Sequence, residues 1–235
     1  MSGPGLSVVN WDRTTIAGSV GTFTDDPFGI GDNATLTTGP ASGALPVGDG
    51  SIDNQGGASQ DYCSAGSKDA SVIYAGLLLD AGYNGLRIEF VFATNKPVGI
   101  SIFSFTNGLE QIARFNGQNI TSQSSIAKSP NAIFIADSVT GYSKSTAPLV
   151  VTLLAVPYSQ ADLYIVVCDQ GDSGNDSAFL IKGRACSDCE STPGGAEINY
   201  VKQTTTHKQS RPRTQCRVLS ITSFTFGSQY SFSSS

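Results

Sequence analysis

Short apolar stretches with a period of two, separated by Gly, Pro, Asn and Ser, constrain the fold of this sequence most. In LRIEFVFA (86–93), every second residue is large and apolar, which is the pattern of a strand with one buried face. SVIYAGLLLDAG (71–82) could form a short helix, but its β-branched residues and bounding glycine favour a strand. We therefore predict an all-β fold, an antiparallel β-sandwich with jelly-roll-like topology.

The length of 235 residues fits one large β domain with an appendage. We predict a β-sandwich over residues 1–183 and a cysteine-containing, basic extension over 184–235, whose last strand packs on the sandwich. Residues 41–69 have no apolar period and are predicted to form a long loop, pinned by Cys63. Loops of this length in a compact domain are usually binding elements, covers or disordered stretches.

Charge is distributed unevenly along the chain. Residues 1–181 contain 16 acidic and 7 basic residues, whereas residues 182–235 contain 3 acidic and 7 basic residues. A basic tail can bind polyanions, but these bases are diluted among Thr, Gln and Ser, so we expect no nucleic-acid partner. We expect the tail to dock on the acidic body instead. The sequence also contains no apolar stretch long enough to span a membrane, and we expect no membrane insertion.

Five cysteines point to disulfides. Their odd number allows two disulfides and one free or intermolecular thiol. The CSDC segment resembles half of a zinc site, but no second CxxC or HxxxH follows it. The candidates for disulfide formation are Cys63, Cys168, Cys186, Cys189 and Cys216. Disulfides imply an oxidising compartment, so we predict a protein that is secreted or held at the cell wall or cell surface.

Three Asn-x-Ser/Thr triplets are candidate glycosylation sites and agree with a secreted glycoprotein. They begin at Asn33, Asn119 and Asn175. Such triplets also occur by chance, so they support the compartment without establishing it.

The sequence offers little for catalysis. Most Ser-His-Asp and Cys-His sites need a histidine base, and the only histidine, His207, lies in a polar tail segment. A glycosidase with two carboxylates needs no histidine. Glu89, on the polar face of its strand, is the best placed acid for that role, but it fits equally a solvated or cross-strand-paired charge. We predict a protein that is not an enzyme and has no catalytic residues.

The stretch CDQGDSGNDSAFLIKG (168–183) is the strongest candidate for a cation site. Asp169, Asp172 and Asp176 follow a strand-forming apolar run and lie in a Gly-containing turn. Calcium prefers several oxygen ligands gathered by a short loop, so the three carboxylates could hold it as a cofactor. The alternative is a hairpin turn whose carboxylates cap backbone amides without metal. The sequence leaves both interpretations open.

A resemblance to a known family rests on three segments. YIVVCDQGDSGNDSAFLIKG (164–183) resembles the closing hairpin of choice-of-anchor L-type extracellular domains. GTFTDDPFGIGDNATLTTG (21–39) and LRIEFVFAT (86–94) are similar to two upstream segments of that family, in the same order. NKP (95–97) stands where the family often has an acidic EYP segment. The resemblance spans residues 15–183.

This resemblance implies a β-sandwich on secreted or wall-attached proteins, as in fungal or bacterial cell-surface adhesins. It carries over only onto Asp169, Asp172, Asp176 and Ser177. The cysteines of the tail lie outside the family pattern.

We therefore expect a non-enzymatic adhesion module that binds a surface glycan or a host or cell-wall protein. The last residues, SQYSFSSS, are typical of the start of a Ser-rich stalk, so we expect a monomeric domain on a stalk. If the ligand is a sugar, the candidates for an aromatic platform are Trp11, Tyr62, Tyr74, Tyr83 and Tyr142. The alternatives are a secreted, carboxylate-dependent glycan hydrolase and a purely structural surface domain.

Overall fold

A computed structural model describes most of the sandwich and little of the tail. The described residues are 3–24, 30–45, 48–57, 62–63, 65–95, 98–105, 109–120, 132–133, 140–170, 173–190, 197–198 and 218–220. Within them the strands are β1 (Leu6–Thr14), β2 (Val20–Phe23), β3 (Asn33–Thr37), β4 (Ser67–Leu79), β5 (Gly85–Thr94), β6 (Val98–Phe105), β7 (Leu109–Gln111), β8 (Arg114–Phe115), β9 (Gln118–Asn119), β10 (Ala132–Ile133), β11 (Lys144–Thr146), β12 (Leu149–Leu154), β13 (Gln160–Gln170), β14 (Ser177–Cys186), β15 (Glu197–Ile198) and β16 (Val218–Ser220). A single turn of 3-10 helix spans Ala41–Ala44.

Two antiparallel sheets make up the body of the protein. The first sheet has the strand order β1-β4-β13-β6-β7. The second has the order β10-β11-β5-β14-β3-β2-β16, and β12 also pairs with β5 and β15. Among the described strands, the short strands β8 and β9 pair with each other and form a separate ribbon. The predicted all-β, antiparallel sandwich is confirmed.

The main core lies between the two sheets and follows the alternation of the sequence. In β5, Leu86, Ile88, Phe90 and Phe92 are fully or almost fully buried, as the period of two predicts. The ring of Phe90 packs on that of Phe179 in the neighbouring strand, with centroids 5.0 Å apart. Burying each such side chain stabilises the fold by about 1.5–3 kcal/mol.

Residues 71–79 of the ambiguous segment 71–82 belong to β4, an interior strand of 13 residues in the first sheet. A helix is excluded because β4 pairs along its length with β1 on one side and β13 on the other. The pairing with β13 is interrupted by a β-bulge between Val167 and Asp169. Asp69, on the opposing stretch of β4, has φ +48°, in the left-handed region that non-glycine residues seldom occupy.

Two disulfides are formed, which confirms the prediction that the cysteines pair. Cys63–Cys168 joins the long loop to β13 across a sequence separation of 105 residues, so Cys63 pins the loop as predicted. Cys186–Cys189 closes a short loop at the end of β14. Cys216 lies outside the described residues. The disulfides indicate an extracellular or otherwise oxidising environment.

The C-terminal part of the chain is joined to the sandwich by strand pairing. β14 continues without interruption past residue 183 to Cys186, all along β5. Val218–Ser220, within the predicted last strand, pairs with β2 at an edge of the second sheet. Among the described residues, no helix has the length and apolarity needed to cross a membrane.

Candidate functional site

Three tyrosines line a groove on the outer face of the first sheet. The ring of Tyr164 lies between those of Tyr62 and Tyr74, with centroid distances of 5.1 Å and 5.0 Å. We call this surface the tyrosine groove (Tyr62, Tyr74 and Tyr164). All three side chains are partly exposed.

Strand register and one disulfide bring these rings together. Tyr74 of β4 is directly opposite Tyr164 of β13, so the two side chains project from the same face. Their neighbours Ala75 and Leu163 point the other way, into the core. Tyr62 comes from the long loop, and it is held over this face by the bond between Cys63 and Cys168.

A polar network borders the groove beside Tyr74. The Tyr74 hydroxyl donates to Oδ1 of Asp162 at 2.8 Å, and Gln160 Nε2 donates to the same carboxylate oxygen at 2.7 Å. Burial of the hydroxyl, and then its hydrogen bond to the carboxylate of Asp162, raise the pKa of Tyr74. Tyr74 is therefore a stable hydrogen-bond donor at neutral pH.

The groove continues past the tyrosines along the end of β1. Asp12, Arg13 and Ile16 line it there, and Gly57 of the long loop lines its other side. Its volume is about 500 Å³, within the range of small-molecule sites. Apolar ring faces are thus placed next to a carboxylate and a guanidinium.

The other predicted aromatic residues lie elsewhere. Trp11 is opposite Ala75 in the register, so it belongs to the core-facing side of β1, although it is 46% exposed at the sheet edge. Tyr83 packs against the main core, and Tyr142 is buried. Sequence reasoning missed Tyr164. The alternation in DLYIVVC (162–168) could have found it, because Leu163 and Ile165 are buried and Tyr164 must face outward.

Glu89, the acid considered for a hydrolase, is engaged in ion pairs on the second sheet. Its Oε1 lies 3.3 Å from Arg87 Nε and 3.0 Å from an Arg184 nitrogen on the neighbouring strand. Lys182 is directly opposite it in the register. This is the geometry of a cross-strand-paired charge.

A second region of interest is the buried acidic cluster (Asp69, Asp169 and Asp176) at one end of the sandwich. All three residues are 0% exposed. Asp169 is near the end of β13, and Asp176 immediately precedes β14. Asp69, at the bulge of β4, was not predicted as part of a site. Asp172, the remaining predicted ligand, lies outside the described residues.

The residues 48–57 of the long loop cover this cluster. Asp176 donates its backbone N–H to the carbonyl of Gly50 at 2.6 Å and accepts a hydrogen bond at Oδ2 from the Ile52 amide at 3.2 Å. Asp69 accepts a hydrogen bond at Oδ1 from the amide of Gly56 at 2.5 Å. The other oxygens, Asp69 Oδ2 and Asp176 Oδ1, are buried and have no hydrogen-bond partner within the described structure.

Burial and mutual repulsion shift the titration of these acids. Burial, with contributions from the charges of Asp69, Asp49 and Asp53, raises the pKa of Asp176 to about 6. Burial also raises the pKa of Asp69. Such shifts arise where carboxylates lack solvent and compensating positive charge.

The predicted calcium ligands remain a prediction. Asp169 and Asp176 are both buried at the same end of the sandwich. In the part of the chain that is described, no three side chains of His, Cys, Asp or Glu are close enough to one another to hold a metal ion by themselves. A cation here would need other oxygen ligands as well.

The glycosylation candidates also remain predictions. Asn33 begins β3 and Asn119 ends β9. Asn175 is partly exposed, with φ +136°, in the turn before β14.

Comparison with known proteins shows a distant structural likeness. No family model and no curated protein matches the chain, so membership of the choice-of-anchor L family stays a proposal. Among solved structures, TmCBM61 in complex with beta-1,4-galactotriose aligns over 76% of this chain and 90% of its own, with 8% identity and a TM-score of 0.35. A TM-score this low assigns neither a fold nor a ligand to this chain.

Proposed function

We propose that this protein is a non-enzymatic extracellular binding module that recognises a surface glycan in the tyrosine groove. The observation that carries this proposal is the row of three tyrosine rings with a hydrogen-bonded polar border at Tyr74 and Asp162. Within the broader expectation of adhesion to a glycan or to a host or cell-wall protein, the groove favours the glycan.

Sugar rings combine two kinds of surface that this groove matches. Their C–H faces are apolar and pack well on aromatic rings, which are large contact surfaces with few rotatable bonds. Their hydroxyls need donors and acceptors fixed in orientation. Asp162 and Gln160 are oriented by their bonds around the Tyr74 hydroxyl, and Asp12 and Arg13 add charged partners along the groove.

A binding role fits better than hydrolysis. A glycosidase of the two-carboxylate type needs one acid with a raised pKa and a second carboxylate across a cleft. Glu89 is instead held in ion pairs with Arg87 and Arg184. The disulfide that holds Tyr62 in place suits a protein exposed outside the cell, at a wall or cell surface.

The proposal is tested by probing a glycan array with the purified protein and then measuring the affinity of Tyr74→Ala and Tyr164→Ala variants for any glycan that binds. Each variant is expected to lose about tenfold to a hundredfold in affinity, the usual effect of removing an aromatic anchor. Tyr158→Ala is the matched control. Tyr158 is 72% exposed on the turn between β12 and β13, outside the groove, and its loss should leave affinity unchanged.

Three results would contradict the proposal. Absence of binding to any glycan would favour protein-directed adhesion or a purely structural role. Equal losses in Tyr164→Ala and Tyr158→Ala would place the site elsewhere. Release of reducing ends from wall polysaccharides, lost in Glu89→Gln, would support the hydrolase instead.

A further inference from the structure

The proposed glycan binding in the tyrosine groove makes no use of the buried acidic cluster. We infer that Asp69 and Asp176, together with the hydroxyl of Tyr142, form a calcium site beneath residues 48–57. This inference is independent of any glycan and concerns the ion alone.

The first argument is the placement of the two carboxylates. Asp69 is fully buried at the bulge of β4, where its own φ is +48°. The two glycines beside these carboxylates leave no room for larger side chains. A Cβ at Gly39 would clash with Asp176 Oδ2, and a Cβ at Gly56 would lie 2.8 Å from Asp69 Oδ1.

The second argument is the balance of charge. Asp49 and Asp53, on the covering loop, add to the negative field at Asp176. The positive charge of Lys68 lowers the pKa of Asp69 and of Asp53. However, the Lys68 side chain is exposed to solvent, where its charge is screened. Buried charges are normally paired or coordinate a metal. A divalent cation would supply the missing positive charge in the interior.

The third argument comes from Tyr142, which is not an acid of the cluster. Tyr142 is 2% exposed, and its hydroxyl oxygen is buried with no hydrogen-bond partner among the described residues. Buried hydroxyls nearly always have a partner. The ring lies against Gly50, where a Cβ would be 3.1 Å from its Cε1, and the carbonyl of Gly50 accepts the hydrogen bond of the Asp176 amide.

The electrostatics agree with this placement. Burial is the largest cause that raises the pKa of Tyr142. The negative charges of Asp176 and then Asp169 raise it further. The open phenol oxygen therefore lies in the field of Asp176, whose Oδ1 is also left without a donor among the described residues. Asp176 thus links the three open oxygen atoms, because its charge acts on Tyr142 and the charge of Asp69 acts on it.

The ligand chemistry selects calcium. All the available atoms are hard oxygens, which excludes a thiolate or imidazole site for zinc. Because no three carboxylates converge in the described chain, backbone carbonyls and water must complete the shell. Calcium accepts such mixed, irregular sets of ligands, whereas Mg²⁺ demands near-octahedral geometry. A site with few carboxylates binds weakly, at about 10⁻⁴–10⁻³ M as in extracellular calcium modules.

Terbium titration tests this site directly. Tb³⁺ replaces Ca²⁺ at oxygen sites, and it emits when a tyrosine close to it is excited. We expect saturable emission from the wild-type protein that added Ca²⁺ abolishes. Tyr142→Phe keeps the ring but should lose most of the emission. Asp176→Asn should bind at least tenfold more weakly, whereas Asp80→Asn, which removes an exposed carboxylate remote from the cluster, should bind as the wild type does.

Thermal unfolding gives a second readout that does not depend on emission. At a calcium concentration about 100 times Kd, the Tm of the wild type should exceed its value in chelator by about 5–10 °C. Asp176→Asn should lose this increase, yet in chelator it should be at least as stable as the wild type because a buried charge is gone. Equal wild-type Tm values in calcium and chelator would overturn the inference, as would equal losses in Asp176→Asn and Asp80→Asn.

Discussion

Two aspartates of this sandwich, Asp162 and Asp176, show how differently the same side chain can be used. Asp162 is partly exposed, and its Oδ1 accepts hydrogen bonds from Tyr74 and Gln160. Asp176 is fully buried, and its Oδ1 has no hydrogen-bond partner in the described chain. A carboxylate oriented by neutral donors beside an open groove is suited to neutral ligands such as hydroxyls. A buried carboxylate among other acids is suited to a cation.

The long loop connects these two regions. Its residue Gly56 donates to Asp69 in the buried acidic cluster, and the next residue, Gly57, lines the tyrosine groove. Farther along, Tyr62 supplies one of the groove's rings, and Cys63 is bonded to Cys168. A change in this loop should therefore reach both sites, whereas a change elsewhere on the sheets should reach at most one of them.

Removal of the Cys63–Cys168 disulfide should have the largest effect. For a closed loop of about 100 residues, the chain-entropy model assigns about 4.7 kcal/mol, and native disulfides usually contribute about 2–5 kcal/mol. We expect the double variant Cys63→Ala, Cys168→Ala to lose about 3–5 kcal/mol in free energy of unfolding, measured by urea denaturation. Glycan and calcium affinity should fall together, because Tyr62 and the covering loop are released.

The second disulfide supplies the matched control. Cys186 and Cys189 are separated by only 3 residues, and they lie near Gly85, at the opposite end of β5 from Thr94 and the acidic cluster. The same model gives about 2 kcal/mol for so short a loop. The variant Cys186→Ala, Cys189→Ala should keep both binding activities. If it lost them as fully as the first variant, the loop would not be the link between the sites.

The next largest effect is expected in the pH dependence of stability, which should distinguish buried Asp176 from partly exposed Asp162. In chelator, folded Asp176 has a pKa of about 6, above its unfolded value of 3.8, so the folded state retains a proton that the unfolded state releases. Its contribution to stability is therefore complete below about pH 4 and is lost as pH rises to about 6. The loss is at most about 3 kcal/mol. The charged groups that raise the pKa of Asp176 are Asp69, Asp49 and Asp53.

Calcium should reverse this dependence. Because a proton competes with the cation at Asp176, the calcium-induced increase in Tm should shrink as pH falls below about 6. Asp176→Asn should reduce the slope in chelator to the part that Asp69 contributes and should remove the effect of calcium, whereas Asp162→Asn should change neither. Unfolding curves at pH 4 to 7, with and without calcium, would measure this. A wild-type slope retained in Asp176→Asn would assign the titration to another group.

The sequence predicted what depends on local patterns and missed what depends on distant contacts. The alternation in β5 predicted the buried face of Leu86–Phe92, and the cysteines predicted disulfides. The turn 169–176 was recognised as acidic, but Asp69 was not, because it lies 100 residues before Asp169 and is turned inward by a bulge that residue propensities do not reveal. Tyr142 is buried against Gly50 of a loop with no regular period, which no pattern predicts.

The smallest effect is expected at Glu89, a third kind of acid in this protein. It is partly exposed and paired with Arg87 and Arg184, whose side chains are 34% and 58% exposed. Exposed ion pairs contribute about 0–1 kcal/mol, so Glu89→Gln should lower the free energy of unfolding by less than about 1 kcal/mol. Glycan affinity and calcium affinity should be unchanged, because Glu89 lies on the outer face of the other sheet. A loss of either would mean that the second sheet takes part in recognition, and the contrast between Asp162 and Asp176 would then describe only part of the functional surface.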